Sequence, residues 1–388
     1  FKDKQIKRGV EFPLYWSSAS LVPGSAMSDG NFINKGTFTN VEAVVNNHGY
    51  ERTSQIFSGG FNAKYTGDDD WSASFDFGYS RTDRSELSLE TNAGTGYGPG
   101  VGATDTLDFV STKTGTRFTG SQLDYSDPNL MVLTDPLGWG AGAPLGHQEG
   151  YYNDRIIDDE LKSYQVEFGK EIESSFLSKI TAGLGYTDRT KSKTPEESFL
   201  NLANGATSLV LPEQYRMSGT DLSFIGVGPI LSYDPFKLLE DGVYVLTANP
   251  SKDVPAKAYS VTERVMSAYL MADIKADLGS AELTGNVGVL AQNTEQKSRG
   301  FQNLAAADLV PTTRGATYWD VLPSANLSLR FPSDFVIRLS GAREIQRPRF
   351  EDMKVSLDYG YNTNSGVITG TGGSPTLRPY RAWAADMN

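Results

Sequence analysis

Apolar and polar residues alternate with a period of two along much of the chain, as the segment from Trp71 to Tyr79 illustrates. Its odd positions hold Trp71, Ala73, Phe75, Phe77 and Tyr79, whereas its even positions hold serine, aspartate and glycine. Successive side chains of a β-strand point to opposite faces, so this segment is predicted to be a strand with one apolar and one polar face. An aromatic-rich apolar face opposite a polar face is typical of a strand between lipid and a polar lumen.

The same alternation recurs in four pairs of segments, each joined by a short turn. The turns contain glycine, aspartate, serine or proline, which are common in tight connections, so we predict four β-hairpins. Their strands and turns are 57–65 and 71–89 around 66–70, 161–172 and 177–191 around 173–175, 265–276 and 282–294 around 277–280, and 321–331 and 335–342 around 332–334. One partial strand is predicted at each end of the chain, over residues 1–15 and from Tyr380 onward.

Charged side chains on the predicted polar faces help to decide between two folds that share this alternation. A soluble β-sandwich also alternates, but it would have to expose charges such as Lys64, Asp76 and Asp273 on its outer surface. The apolar faces also place aromatic residues near the strand ends, as with Tyr65 and Trp71 on either side of one turn. Two aromatic belts match the two interfaces of a bilayer, so we predict an all-β, antiparallel, up-and-down transmembrane β-barrel.

The connections between the predicted hairpins are long. In an up-and-down arrangement, successive connections alternate between the two ends of the strands, so the short turns share one end and the long loops share the other. Short periplasmic turns and long extracellular loops are typical of outer-membrane barrels. The predicted long loops cover residues 17–54, 90–160, 192–260, 295–317 and 345–379.

Composition agrees with a membrane barrel and excludes several other classes of protein. The chain has 388 residues, of which 38% are hydrophobic, with 40 glycines and no cysteine. A barrel strand needs an apolar side chain only at every second position, and the lack of cysteine excludes disulfides and thiolate metal sites. The net charge of −12, with no basic stripe, argues against nucleic acid as a partner. No stretch of sequence reaches the ~20 apolar residues that a spanning helix needs.

The sequence contains no evident pairing of a nucleophile with a base, so we expect no enzymatic activity, no catalytic residue and no cofactor. His147 lies near Asp154, Asp158 and Asp159, which makes a metal site in this loop conceivable. A solvated acidic loop is the preferred interpretation, and we expect no metal.

Aromatic and arginine residues in and near the long loops are the candidate ligand-binding residues. Aromatic faces pack on sugar rings and on aromatic chelates, while polar groups fix the orientation of the ligand. Loop aromatics also pack on one another, and arginines near the rim would either attract an anionic siderophore or pair with neighbouring acids. The candidates are Trp139, Tyr151, Tyr152, Tyr97, Arg81 and Arg84.

Several short motifs resemble those of TonB-dependent outer-membrane receptors. The segment from Gly183 to Lys191 resembles their strand-end motif, and Val321 to Leu327 resembles their Leu-Pro-Ser-x-Asn strand. Arg347-Pro-Arg-Phe-Glu-Asp-Met353 resembles their Arg-Pro-x-Phe-x-x-Leu segment. Gly373 to Pro379 is similar to their Asn-Pro-x-Leu-x-Pro element, with Ser374 in place of the usual asparagine. The most similar group is the proteobacterial branch first noted in Xanthomonas and Caulobacter relatives, many of which import sugars.

This resemblance implies a 22-stranded barrel in the bacterial outer membrane, with a plug domain inside it. Residues 1–388 would then be an incomplete barrel domain, and we expect the plug and the remaining strands to lie outside this chain. The implied function is active import of a scarce nutrient. We expect an oligosaccharide as the first candidate substrate, and a ferric siderophore or other metal chelate as the second.

The expected partners also follow from the resemblance. They are the TonB energy-transducing complex, acting through the plug, the small-molecule or oligosaccharide substrate, and the lipid and lipopolysaccharide of the outer membrane. The alternative function is that of a non-transporting surface protein, either an adhesin or a structural component of a surface assembly.

Overall fold

The computed structural model describes residues 1–14, 17–304, 308–333, 335–362 and 366–388, and these are almost entirely β-structure. The strands are β1 (Lys2–Glu11), β2 (Ser20–Leu21), β3 (Met27–Asp29), β4 (Phe32–Val41), β5 (Val44–Thr66), β6 (Trp71–Gly94), β7 (Asp105–Thr112), β8 (Gly115–Thr119), β9 (Val132–Thr134), β10 (Gly150–Glu171), β11 (Leu177–Leu202), β12 (Ser208–Leu209), β13 (Arg216–Asp221), β14 (Pro229–Tyr233), β15 (Tyr244–Ala248), β16 (Tyr259–Leu278), β17 (Ala281–Leu304), β18 (Val310–Arg330), β19 (Val336–Gln346), β20 (Leu357–Asn362), β21 (Val367–Gly372) and β22 (Tyr380–Met387). The same residues form the short helices α1 (Pro235–Glu240) and α2 (Asp253–Ala256), and single 3-10 turns at Trp139–Gly142, Ala203–Gly205, Glu213–Tyr215, Ser223–Ile225 and Phe350–Met353. The predominance of strands over short helices confirms the predicted all-β fold class.

The long strands form one antiparallel sheet in which neighbours are successive long strands along the chain. Their order is β1-β5-β6-β10-β11-β16-β17-β18-β19-β22. The pairing is regular over long distances, and β16 and β17 stay in register from Tyr259↔Gly300 to Leu278↔Ala281. This meander confirms the predicted up-and-down topology.

The predicted hairpins are present, but their strands extend further from the turns than the sequence predicts. β5 begins at Val44, β10 begins at Gly150 and β17 continues to Leu304. The predicted loop over 295–317 is therefore wrong, since most of it belongs to the paired strands β17 and β18. The backbone ladder continues here without the apolar alternation that marks the rest of each strand. In the fourth predicted turn, Asp334 lies outside the described residues.

The chain divides into two compact units, each of which is described by itself. Unit 2 contains the turns of the predicted hairpins and the strand segments next to them. Unit 1 contains β1 and much of the predicted long loops. Unit 1 comprises Phe1–Thr53, Ser85–Arg155 and Pro195–Ser251, and unit 2 comprises Ser54–Arg84, Ile156–Thr194 and Lys252–Asn388.

The apolar face of the sheet in unit 2 is exposed and carries a network of aromatic contacts. The ring centres of Phe61 and Phe75 lie 6.4 Å apart, and those of Phe77 and Tyr164 lie 5.1 Å apart. Leu184, on the same face, is 63% exposed. A sandwich would bury such side chains between two sheets, so their exposure confirms the lipid-facing interpretation.

The opposite, polar face of unit 2 is partly covered by the motif that begins at Arg347. Phe350 and Met353 of this motif form a small buried cluster with Tyr259 and Val261 of β16. The apolar residues of the motif therefore pack onto the polar side of the sheet and fix Arg347 beside the neighbouring strands.

The second C-terminal motif, which begins at Gly373, is also held on the polar face. The side-chain amide of Gln296 in β17 donates hydrogen bonds to the carbonyl groups of Pro375 and Leu377, at 2.7 and 2.8 Å. Just beyond the motif, Arg381 donates to the buried carboxylate of Asp320 at 2.5 Å. Both C-terminal motifs thus place a loop segment on the inner side of the strands.

Unit 1 contains a larger hydrophobic core. Its fully buried members include Leu133, Leu200, Tyr233 and Tyr244. The hydroxyl of Tyr233 donates a hydrogen bond to Oγ1 of Thr91 at 3.1 Å, and burial raises the pKa of this phenol to about 12. The residues predicted to form long loops therefore include a packed body with its own core.

Short strands replace much of the predicted irregular loops of unit 1. A separate sheet with the order β2-β4-β7-β8 occupies parts of residues 17–54 and 90–160. The rings of Phe38 and Phe109 lie 5.7 Å apart across it. These strands pair over a few residues and carry no long alternating pattern, which explains why the sequence did not reveal them.

Candidate functional site

A groove on the polar face of unit 2 combines charged side chains with the ring of Phe350. Its volume is about 560 Å³. Its walls come from β11, from β16 and from the motif that follows β19. The lining residues, which define the polar-face groove, are Arg189, Lys191, Glu263, Arg347, Pro348, Arg349, Phe350 and Glu351.

Strand register and motif packing together build the polar-face groove. Arg189 and Lys191 lie two positions apart on β11, so they point to the same face. Glu263 of β16 is paired directly with Arg189. The buried ring of Phe350 anchors the motif above these strands and brings Arg347 into the same groove.

Ion pairs and one ring contact fix the guanidinium groups of the groove. Arg189 donates two hydrogen bonds to Asp159, at 2.9 and 2.6 Å, and lies 4.7 Å from the ring centre of Phe350. Nε of Arg347 lies 3.8 Å from a carboxylate oxygen of Glu263. Burial raises the pKa of Glu263, and the nearby charges of Arg347 and Arg189 oppose that rise.

Cationic side chains outnumber the acids that line the polar-face groove. Arg189, Lys191, Arg347 and Arg349 stand against Glu263 and Glu351. The side chain of Arg349 pairs with Asp352 at 3.0 Å yet remains 84% exposed. Guanidinium groups bind carboxylates and other oxyanions through two parallel hydrogen bonds, so the groove can hold an anionic group beside an aromatic ring.

Two of the predicted ligand residues, Tyr97 and Trp139, lie in one loop cluster of unit 1. The buried carboxylate of Asp135 accepts hydrogen bonds from the backbone N–H groups of Trp139 and Gly140, at 2.9 and 2.8 Å. The carbonyl of the same aspartate accepts from Gly98, the residue after Tyr97, at 2.9 Å. Trp139 as a whole residue remains 38% exposed, so it is not sealed inside the loop cluster.

His147 belongs to the same loop cluster and is buried rather than solvated. Its Nδ1 atom lies 2.7 Å from Oε1 of Glu149, and its carbonyl accepts a hydrogen bond from Asn201 at 2.7 Å. Asp154 lies elsewhere, on β10, where it accepts a hydrogen bond from Ser85 at 2.8 Å. The interpretation as a solvated acidic loop is therefore wrong. Among the described residues, no group of histidine and acidic side chains is arranged to hold a metal ion.

The buried carboxyl group of Glu149 gives this loop cluster a pH dependence with a definite sign. Burial raises the pKa of Glu149 above its ordinary value of 4.5. The folded state therefore favours the protonated form of Glu149, whose Oε1 lies 2.7 Å from Nδ1 of His147 and whose Oε2 accepts a hydrogen bond from the Leu202 N–H at 3.0 Å. The stabilisation is fully present below pH 4.5 and is lost as the pH rises through the raised pKa.

Glu149→Gln should remove this pH dependence, because a glutamine side chain has nearly the shape of the protonated acid and does not titrate. In the wild type, we expect amide-exchange protection around Leu202 to fall as the pH rises above 4.5, after correction for intrinsic exchange rates. In the variant, that protection should not change with pH. Glu196→Gln, an exposed control on β11, should behave like the wild type, and a flat wild-type profile would contradict the assignment.

Tyr151 and Tyr152 are successive residues of β10, so they point to opposite faces and cannot line one site together. The hydroxyl of Tyr151 donates to Glu197 at 2.6 Å and accepts from the side-chain amide of Asn249 at 2.7 Å. Tyr152 packs against the hydrophobic core of unit 1. A ligand role for either tyrosine stays a prediction.

Arg81 and Arg84 lie in the part of β6 that belongs to unit 2. Arg81 shares the face of Tyr79, where its guanidinium lies 2.7 Å from Asp83 and 3.7 Å from Asp158. This placement matches the second of its two expected roles, pairing with neighbouring acids. Arg84 is half-buried. It lies three positions after Arg81 on the same strand, so its side chain points to the opposite face.

The sequence prediction did not include the polar-face groove among the ligand sites. The phase of the alternation on β11 already places Arg189 and Lys191 on the polar face. The motif at Arg347 already carries a second cation and the ring of Phe350. What the sequence lacked was the contact between these two segments, since nothing in the alternation indicates which strands the motif packs against.

The meander, the exposed apolar face with its aromatic residues and the charged polar face define a transmembrane β-barrel protein. Residues 105–386 match the family model described as TonB dependent receptor-like, beta-barrel. The chain therefore belongs to this family of bacterial outer-membrane proteins, which confirms the resemblance to TonB-dependent receptors and the expected location in the outer membrane. Its polar face is the one that looks into the barrel lumen.

Among solved structures, the chain is similar to the siderophore receptor PiuA from Acinetobacter baumannii, with 15% sequence identity and a TM-score of 0.36. The match covers 98% of this chain and 54% of that protein, so the chain spans about half the length of the structure it matches. No curated protein sequence is significantly similar to the chain. In the described part of the chain, none of the helices combines the length and the apolar character needed to cross a bilayer.

Proposed function

We propose that this chain is part of a plug-gated importer that takes up a scarce nutrient and is energised by the TonB complex. The proposal includes a plug domain and further barrel strands outside residues 1–388. Family membership supports it, and the polar-face groove is the observation that carries it. An adhesin would present its binding residues at the outer surface, whereas this groove is built on the lumen-facing side of the strands.

The substrate class follows from the charge of the groove. Its cations outnumber its acids, and the ring of Phe350 lies among them. An oligosaccharide that carries carboxylate groups is our first candidate, because a sugar ring packs on an aromatic face while its acid groups bind arginine. An anionic metal chelate such as a ferric siderophore is the second candidate, favoured by the same excess of cations.

Lys191→Gln with Arg349→Gln should lower uptake roughly tenfold at low substrate concentration, since two charge-assisted contacts are lost. These side chains line the groove without belonging to the buried cluster under it. The measurement is growth-linked uptake in a deletion strain that carries the complete reading frame of the wild type or the variant. The solutes to compare are acidic oligosaccharides, neutral oligosaccharides and ferric siderophores.

The matched control is Lys275→Gln with Arg330→Gln, which removes two exposed cations from the turn ends of β16 and β18. This control should import at the wild-type rate. A deletion strain in which every solute enters at the normal rate would refute import. Normal import by the groove variant would refute the groove as the site and leave the importer in place.

A further inference from the structure

Glu263 is a buried acid in the polar-face groove, and one of its oxygens is unsatisfied. The residue is 9% exposed, and its Oε2 atom has no hydrogen-bond partner in the part of the chain that the structure describes. The outer face of β16 is apolar up to Met266 and then presents Arg264, so Glu263 lies beyond the lipid-facing stretch of the strand. A buried carboxylate is costly unless it is paired, so this oxygen needs a donor or a proton.

Arg347 lies beside this oxygen without a hydrogen bond to it. Its Nε atom is 3.8 Å from Oε2 of Glu263, which is too far for a hydrogen bond, and Nε has no hydrogen-bond partner among the described residues. The same guanidinium donates to Gln292 at 3.0 Å, and the side chain of Arg347 is 30% exposed. The pair is therefore held by charge rather than by a hydrogen bond, and an anion in the groove can reach Arg347.

The other groups that face Glu263 do not supply the missing hydrogen bond. Arg189 faces it from β11, but this guanidinium donates two hydrogen bonds to Asp159, at 2.9 and 2.6 Å. Gln296 faces it from β17, and the N–H groups of that amide donate to the second C-terminal motif. The buried Tyr318 on β18 is within electrostatic range of Glu263, and a phenol is neutral at physiological pH.

An anion that enters the groove changes the balance of charges around Glu263. Burial raises the pKa of Glu263, and the charges of Arg347 and Arg189 oppose that rise. An anionic group bound to these arginines offsets their positive field, so it raises the pKa of Glu263 further. Coupling between two ligands is reciprocal, so a proton that binds better beside the anion also makes the anion bind better.

We propose that an acidic solute binds Arg347 in exchange for Glu263, and that the carboxylate of Glu263 then takes a proton from solvent. This coupling rests on the proposed function, because it takes the groove as the site of an imported anion. The groove gains one negative charge from the solute group and one positive charge from the proton, so its net charge does not change. A neutral sugar leaves Arg347 with Glu263 and needs no proton, so Glu263 also distinguishes acidic from neutral solutes.

The probe for this coupling is trigalacturonate, which carries one carboxylate on each sugar, and its binding is measured by isothermal titration calorimetry. The receptor is expressed from its complete reading frame and purified in detergent. The pKa of Glu263 is above 4.5 in the free receptor and should be higher in the complex. Between these two values, affinity should fall by up to about tenfold per pH unit, because one proton is bound with each anion. Buffers of different protonation enthalpy should report that uptake, whereas the neutral trisaccharide maltotriose should show none.

Substitutions of two acids in the same groove separate proton uptake from simple charge repulsion. Glu263→Gln should bind trigalacturonate equally at every pH and as tightly as the wild type does at low pH, and Glu263→Asp should restore the pH dependence. Glu351→Gln is the matched control. Burial alone would raise the pKa of Glu351, but hydrogen bonds from Tyr259 and Lys354 outweigh it and hold that pKa below 4.5. This control should therefore keep the pH profile of the wild type, and every variant should show the heat-modifiable gel migration of a folded barrel.

Two results would overturn the coupling while leaving the groove as the binding site. They are a wild-type affinity that does not change with pH, and a Glu263→Gln variant that keeps the wild-type pH profile. Equal binding of trigalacturonate by the wild type and by Lys191→Gln with Arg349→Gln would refute the groove itself, and the coupling with it. The same conclusion holds if trigalacturonate does not bind at any pH, whereas import as such is tested separately by uptake in the deletion strain.

Discussion

Arg381→Met should destabilise the pairing of β22 with the sheet by about 3 kcal/mol, because it leaves a buried carboxylate without its cation. Asp320 is 3% exposed, and Oδ1 accepts the hydrogen bond from Arg381 at 2.5 Å. Its Oδ2 atom is also buried and has no hydrogen-bond partner among the described residues. Methionine keeps the length of the side chain, so the change removes mainly charge and hydrogen bonding. The measurement is denaturant unfolding of the purified receptor, with amide exchange in β22 as the local readout.

A double-mutant cycle separates the coupling between Arg381 and Asp320 from other effects that each substitution has on the free energy of unfolding. Asp320→Leu with Arg381→Met should recover most of the lost stability, since no buried charge then remains. Arg349→Met is the control, because that arginine pairs with Asp352 at the surface and should cost less than about 1 kcal/mol. Equal losses in Arg381→Met and in the double variant would show that the pair is not coupled.

The hairpins could be predicted from the sequence because lipid imposes a strict period of two on the strands that cross it. Each turn between Thr66 and Trp71, or between Leu278 and Ala281, interrupts that period with glycine and aspartate or serine. The pattern also fixed which face is apolar, since shifting a strand by one residue exchanges its faces. Exposed Leu184 and the contact of Phe61 with Phe75 agree with that assignment.

The upper parts of the strands could not be predicted in this way. Between Tyr259 and Met266, both faces of β16 carry polar or buried residues. The strand pairing continues there, but the sequence no longer alternates between apolar and polar residues in a way that would indicate a strand. The core of unit 1 is a related case, because Leu133, Leu200 and Tyr233 come from segments far apart in sequence. Each segment alone has too few apolar residues to indicate that it is buried.

For the candidate site, too, the sequence indicates the properties of each segment by itself but not which distant segments come into contact. The motif that begins at Arg347 indicated the family through its resemblance to known receptors. It did not indicate the surface against which the motif packs. The aromatic candidates were chosen for their residue type, and the structure shows the Tyr97 and Tyr151 hydroxyls already bonded within unit 1. Residue type indicates what a side chain can bind, whereas its partners in the fold decide whether it is available.

Leu200→Ala should destabilise unit 1 by about 3 kcal/mol, the middle of the range for a fully buried leucine. Leu200 is 0% exposed and lies in the hydrophobic core of the unit. One of its methyl groups also lies close above Gly150, where an added Cβ would be only 3.0 Å from Leu200 Cδ1. Truncation would therefore open a cavity that the neighbouring backbone strand cannot easily fill.

Leu246→Ala is the matched control for this prediction, since Leu246 pairs directly with Leu200 across β15 and β11 but is 48% exposed. The same chemical change there should cost less than about 1 kcal/mol, because little buried contact is lost. Amide exchange should report faster opening of β11 and β15 in Leu200→Ala, while the turn-proximal strands of unit 2 keep their protection. If the two variants lose equal stability, the core of unit 1 does not hold its segments together, and the predicted loops behave as independent surface chains.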